Sequence, residues 1–132
     1  MNGATQRAVL LVDPDEASRE AIASALRGAG YSVEDFPDYR GALATLESDT
    51  PLDCMVTALL LPKGTPHGVA LGHMASVKRP GLPLFFVASS AEEAGWVDER
   101  WAQKVLMRPV DCQLLAAEIS RTLGPSESIS SR

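Results

Sequence analysis

The chain has 132 residues, 45% of them hydrophobic and 22% charged, which fits one globular domain with a core that needs no disulfide or metal to hold it. Twelve basic residues stand against 17 acidic ones, for a formal net charge of −5. The basic residues are scattered rather than massed, which argues against a nucleic-acid surface.

Residues 1–7 read as a short N-terminal extension with no apolar stretch of a signal peptide. Ala8 to Val12 is a continuous apolar run closed by acids and a proline, the pattern of a buried parallel strand. Asp13-Pro14-Asp15-Glu16 then offers helix-capping chemistry and first-turn acids. A helix is predicted over about Asp15 to Ala29, with Ile22, Ala25, Leu26 and Ala29 on its core stripe and Gly30 as its stop. Tyr31 to Phe36 reads as a second strand. Asp38 caps a second helix, in which Tyr39, Ala42, Leu43 and Leu46 share a face.

Leu52 to Leu61 is the most apolar stretch, and its first half reads as a central strand. Pro62 to Pro66 is a loop. A third helix covers about Val69 to Lys78, broken by Pro80-Gly81. Leu82 to Ala88 is a fourth buried strand, Ala91 to Trp101 a fourth helix, and Val105 to Met107 a fifth strand ended by Arg108-Pro109. Asp111 caps a last helix whose Leu115, Ile119 and Thr122/Leu123 face inward. Residues 124–132 are rich in serine with little to bury and read as a disordered tail. The domain proper is therefore 8–123. Cys54 and Cys112 have no second Cys or His at ligand spacing and read as buried free thiols.

Strand and helix alternate throughout, and strands that are apolar on both faces imply a parallel sheet covered on both sides. Right-handed crossovers make this a doubly wound α/β fold. Ligands on such sheets sit beyond the C-terminal ends of the strands. That places any chemistry at Asp13 to Glu16, Thr57 to Leu61, Ala88 to Ser90, and Arg108.

The stretch Val9-Leu10-Leu11-Val12-Asp13-Pro14-Asp15-Glu16 resembles the opening of response-regulator receiver domains. So does the helix ending Leu26-Arg27-Gly28-Ala29-Gly30-Tyr31-Ser32-Val33. Leu52 to Pro62 resembles the family's strand and loop around the phosphoacceptor, Pro83 to Ser89 its strand ending in a switch hydroxyl, and Met107-Arg108-Pro109-Val110 its Lys-Pro-aromatic step. The resemblance covers about Arg7 to Leu123. It implies a (βα)5 flavodoxin-like sheet of strand order 2-1-3-4-5. It also implies a place in two-component phosphorelay signalling in the cytoplasm, with a histidine kinase or other signalling protein as partner.

In that family, carboxylates gather around Mg²⁺, one of them takes the phosphoryl group, a lysine pairs with its oxygens, and a Ser/Thr hydroxyl moves in. Phosphoryl transfer of this kind depends on positioning and charge neutralisation. Asp13 matches the first acid, but Pro14 stands at the second and supplies no side-chain oxygen. Asp15 either substitutes as a weak metal ligand or caps the helix. Counting back from Pro62, the acceptor position falls on Ala58, which has no nucleophile. Thr57 should face the other side of the strand, and Asp53 lies roughly 16 Å away at ~3.3 Å per residue. Either would be an off-pattern acceptor in a weakly phosphorylatable regulator. The switch position falls on Ala88, with Ser89 one residue on. Arg108 replaces the lysine with a planar fork and is free to pair with Asp13. Pro109 matches the family's cis proline. Val105 stands where the family has its aromatic reporter.

The resemblance therefore implies a degenerate, atypical pseudo-receiver. No catalytic role is expected, Mg²⁺ binds weakly at most, and no output domain follows the last helix. The expected function is that of a phosphorylation-independent protein-binding adaptor. Trp96 and Trp101 are either core residues or part of a partner surface, and the family's usual partner or homodimer face is built from its fourth helix, fifth strand and fifth helix. His67 and His73 read as surface residues. An enzyme or nucleotide binder on a similar sheet would need a glycine-rich phosphate loop where Asp13-Pro14-Asp15-Glu16 stands. No apolar run is long enough to span a membrane.

Overall fold

A computed structural model describes residues 6–62 and 67–124, with the side chains of residues 102 and 103 outside that description. Five strands alternate with helices: β1 (Ala8–Val12), α1 (Glu16–Gly28), β2 (Ser32–Phe36), α2 (Tyr39–Glu47), β3 (Cys54–Ala58), α3 (Gly68–Lys78), β4 (Leu84–Ala88), α4 (Ala91–Ala94), β5 (Val105–Met107) and α5 (Cys112–Leu123). The strands form one parallel sheet of order β2-β1-β3-β4-β5, the order that the resemblance implies.

The sheet divides the core in two, because side chains alternate across each strand. Val9, Leu11, Val56, Phe85 and Val87 meet α1 and α5 through Ile22, Leu26, Leu115 and Ile119. Leu10, Val12, Met55, Leu84 and Phe86 meet α2 and α3 through Ala42, Leu46, Leu71 and Ala75. β3 and β4 are buried along their whole length, the reason their sequences are apolar without a break. No helix among the described residues is long and apolar enough to cross a membrane.

Several expectations are corrected. α1 turns Ala23 rather than Ala29 into the core, since Ala29 is the exposed C-cap and lies past the last regular turn. In α2, Thr45 is buried and Leu43 is only half-buried, because the Thr45 hydroxyl satisfies itself on the Gly41 carbonyl at 3.0 Å. Tyr31 precedes β2 rather than opening it, and its buried ring sends the hydroxyl to Ser120 Oγ at 2.7 Å. Cys112 is half-buried rather than buried.

The largest correction concerns the fourth helix. The expected span to Trp101 is broken into the single turn of α4 and a 3₁₀ helix, Glu99–Lys104. Gly95 ends the first piece, and its amide bonds back to Ala91, Glu92 and Glu93. Asp98 opens the second by accepting from the Arg100 amide. Residues 125–132 of the expected tail, residues 1–5 of the extension and residues 63–66 of the expected loop lie outside the described residues.

Gly68 marks the tightest backbone approach. A Cβ there would lie 2.1 Å from the Ala58 carbonyl oxygen. Gly68→Ala should therefore cost about 2–3 kcal/mol by overpacking. Gly28→Ala meets nothing within 4 Å and should be neutral or stabilise by about 0.5 kcal/mol. Urea midpoints at unchanged m-value read both effects.

Burial pushes the Cys54 thiol up to about 12, with Asp53 adding to the shift. Burial also raises the Cys112 thiol. The thiolate is the reactive form. At pH 8, an aromatic disulfide reagent should label Cys112 in the native chain and Cys54 only on unfolding. A raised thiol is protonated in the fold and ionised earlier in the unfolded chain, so Cys54 should lower stability as pH climbs above about 9. Equal labelling of both thiols would count against this core placement.

Candidate functional site

The C-terminal ends of β1, β3 and β4 converge, and Asp13 follows β1 directly. Its amide still belongs to the sheet, donating to the Phe36 carbonyl at 3.0 Å. Its carboxylate is 1% exposed. A buried carboxylate must be paired and hydrogen-bonded to stay charged. Arg108, just after β5, supplies that pairing. Its Nη2 donates to Asp13 Oδ1 at 2.7 Å and its Nη1 to Oδ2 at 3.1 Å, a two-pronged contact. Nη1 also donates to Ser18 Oγ at 2.7 Å, and Nε donates to Ser89 Oγ at 3.1 Å. One side chain thus joins β1, α1 and the β4–α4 turn.

The Asp13 hydrogen bond pushes the Arg108 guanidinium up, against the opposing effect of burial; the charges of Asp13, Asp15 and Glu93 reinforce the rise. A cation raised above its ordinary value contributes stability that is lost only as pH climbs through that raised value. The Arg108 contribution is therefore constant across the neutral range.

The neighbouring acids are engaged elsewhere. Asp15 caps α1, its carboxylate accepting from the Ser18 amide at 2.9 Å, while its own amide donates to Asp13 Oδ1 at 3.0 Å. Arg19 ties the region to β2, donating to the Asp13 carbonyl at 2.8 Å and to Asp35 at 3.2 Å. Pro14 is exposed.

Ala58 ends β3, 1% exposed, inside the α2/α3 side of the core. Thr57 is fully buried, and its hydroxyl donates to the Ala58 carbonyl at 3.0 Å. Asp53 sits at the opposite end of the strand, where its carboxylate takes the Ala8 amide at 2.7 Å. Asp53 is thus remote from Asp13, while Thr57, paired with Val12 in the sheet, spends its hydroxyl on the Ala58 carbonyl. Ala88 is buried at the end of β4, and the exposed Ser89 carries the hydroxyl that reaches Arg108. The Arg108–Pro109 peptide is cis. Val105 is half-buried against the α2/α3 side of the core.

These residues do not fit Mg²⁺. That ion wants several oxygen ligands in octahedral array. The Asp13 carboxylate is already paired with Arg108, those of Asp15 and Glu93 are spent on the Ser18 and Ser89 amides, and Pro14 and Ala58 have no side-chain oxygen. Among the described residues, no group of three His, Cys, Asp or Glu is placed to hold a metal.

Ser18 and Glu93 belong to the site and were not singled out from the sequence. Glu93 is 7% exposed. Its carboxylate accepts from the Ser89 amide at 2.8 Å, while its amide donates to Ser90 Oγ at 3.2 Å. The spacing Ser90-x-x-Glu93 is a capping-box signal that could have located it. Ser18 carries no comparable signal.

The tryptophans turn toward α3. Trp96, in the turn after α4, stacks on His67 at 4.9 Å between ring centroids. Trp101, in the 3₁₀ helix, lies 5.0 Å from His73 and 5.4 Å from Phe86, with the Arg100 guanidinium 4.6 Å over its ring. Trp101 is thus part of the α2/α3 side of the core, whereas Trp96 stays exposed. His67 and His73 are exposed.

Removing either member of the Asp13–Arg108 pair strands a charge. Asp13→Ala and Arg108→Ala should each cost about 2–4 kcal/mol, and the double variant should cost clearly less than their sum. A coupling below about 0.5 kcal/mol in that urea-denaturation cycle would contradict the bidentate geometry.

No family model matches the chain. It is 28% identical over 117 residues to the response regulator receiver protein CpdR of Brucella abortus (strain 2308), a match spanning 87% of this chain and 95% of that protein. Its fold is similar to a CheY-like response regulator receiver domain protein from Methanospirillum hungatei JF-1, with a TM-score of 0.76 and 25% identity over 90% of this chain and 94% of that one. A response regulator receiver protein from Sinorhizobium medicae WSM419 superimposes with a TM-score of 0.75 at 22% identity, over 89% and 94% of the two chains. Likeness in sequence and in fold thus agree with the order of the strands, and the chain is similar to response-regulator receiver domains and shares their fold.

Proposed function

We propose that this receiver domain acts in the cytoplasm as a protein-binding adaptor that does not depend on aspartyl phosphorylation. The observation that carries the reading is the bidentate hold of Arg108 on Asp13 beside an alanine at the end of β3. Phosphoryl transfer needs a nucleophile and a cation that neutralises the incoming charge. Ala58 supplies no nucleophile. The charge of Asp13 is balanced from within the chain, which leaves little to attract Mg²⁺.

A signalling role without that chemistry falls to the surface. Met107 on β5 and Leu114 on α5 are about half exposed, at 45% and 50%. They place apolar area on the face that the fourth helix, fifth strand and fifth helix form in the family. A histidine kinase, another signalling protein or a second copy of the chain would dock there. No catalytic role is proposed for any residue.

The test is a titration with Mg²⁺ and beryllofluoride followed by amide NMR shifts, with acetyl phosphate and intact mass in parallel. No saturable shift at Asp13, Ala58 or Ser89 and no mass gain are expected. A saturable shift there, or one phosphoryl added per chain, would overturn the reading. Ala58→Asp should gain only a trace of phosphoryl, because it places a carboxylate in an apolar cluster while Arg108 still holds Asp13. Full labelling of that single variant would mean that the other departures do not matter.

A further inference from the structure

The β4–β5 ladder ends where the Arg108 amide donates to the Ala88 carbonyl at 2.9 Å. Beyond Ala88 the chain leaves the sheet, and only Glu93 is buried in the single turn of α4. Elements with so little burial open easily. Ala94 packs partly buried on the α2/α3 side of the core, and a short series of polar contacts ties the rest of the segment down. Arg108 Nε donates to Ser89 Oγ, the Ser89 amide donates to Glu93, and the Trp96 amide donates to the Glu93 carbonyl at 2.9 Å. The Trp96 ring then rests on His67 at the start of α3. The same guanidinium is fixed at its other edge by Asp13 and Ser18.

We infer that Arg108 is a built-in conformational lock, an internal cation that holds the Ser89–Trp96 segment in one position and thereby sets where the Trp96 ring is presented beside α3. The fork geometry makes this possible. A guanidinium donates from three nitrogens in one plane, so it binds Asp13 and Ser18 from its two terminal nitrogens and Ser89 from Nε. A lysine ammonium keeps the charge opposite Asp13 but has one nitrogen and no fixed fork. The lock deepens the phosphorylation-independent reading, since the guanidinium that neutralises Asp13 also anchors the segment that follows β4.

The test uses the full chain without Mg²⁺ or any phosphoryl donor. Hydrogen exchange is followed by NMR in the parent, in Ser89→Ala and in Arg108→Lys, together with the indole N–H resonance of Trp96 assigned through Trp96→Phe. Amides from Ser89 to Trp96 are expected to exchange at least tenfold faster in Arg108→Lys, and several-fold faster in Ser89→Ala. The Trp96 indole resonance should shift in both, while β1 and β3 amides change less than twofold. Ser89→Ala removes one exposed hydroxyl and keeps the Asp13 pair, so it reports even if Arg108→Lys folds poorly. Unchanged exchange from Ser89 to Trp96 in Ser89→Ala would overturn the lock. So would acceleration matched by β1 and β3, which would mean general destabilisation. Neither result depends on beryllofluoride binding, so the lock and the phosphorylation-independent reading fail separately.

Discussion

A carboxylate with 1% exposure at the end of β1 sets the terms for everything around it. Desolvating such a charge costs several kcal/mol even after the surroundings relax. A cluster of carboxylates can be neutralised by a divalent cation. A single carboxylate needs only a single positive charge, and Arg108 brings it covalently attached. Charge balance therefore ties Asp13 to Arg108, one guanidinium against one buried carboxylate, while Pro14 and Ala58 bring no charge.

The packing around Ala58 is apolar throughout. Its side chain joins Leu59, Leu61, Leu71 and Ala88 in an apolar cluster, and its carbonyl lies beneath Gly68 at the start of α3. The Gly68 amide donates to the Leu59 carbonyl at 2.8 Å, so α3 is seated on the end of β3 by its first residue. An acid at position 58 would have to be accommodated by that apolar cluster. Position 58 is thus apolar by its packing as well as by its residue type.

Most of the fold was legible because burial on both faces writes an unbroken apolar run. Val9 to Val12 and Leu84 to Ala88 carry that signal, and both are strands. The fourth helix was misread because its residues favour helix locally, whereas the outcome depends on long-range contacts. Trp101 packs on Phe86 and His73, which draws the chain into a 3₁₀ helix against β4 and leaves Trp96 in a turn. No periodicity in residues 91–101 encodes a ring partner on α3. At the site, the residue types were readable and so was the chance of an Arg108–Asp13 contact. The roles of Ser18 and Ser89 were not. They depend on how the fork is rotated, a property of three-dimensional geometry rather than of spacing.

Arg108 also explains why a hydroxyl one residue past Ala88 matters. In a parallel strand, side chains alternate, so a one-residue slip would ordinarily carry Ser89 to the other face. Here β4 has ended, and the backbone is free to turn. The Ser89 amide is taken by Glu93 and its hydroxyl by Nε of Arg108. A long side chain with a donor set back from its tip spans that slip, whereas an ammonium at the end of its stem would have to choose between Asp13 and Ser89. The guanidinium of Arg108 is thus answered from within the chain, by Asp13, Ser18 and Ser89 together.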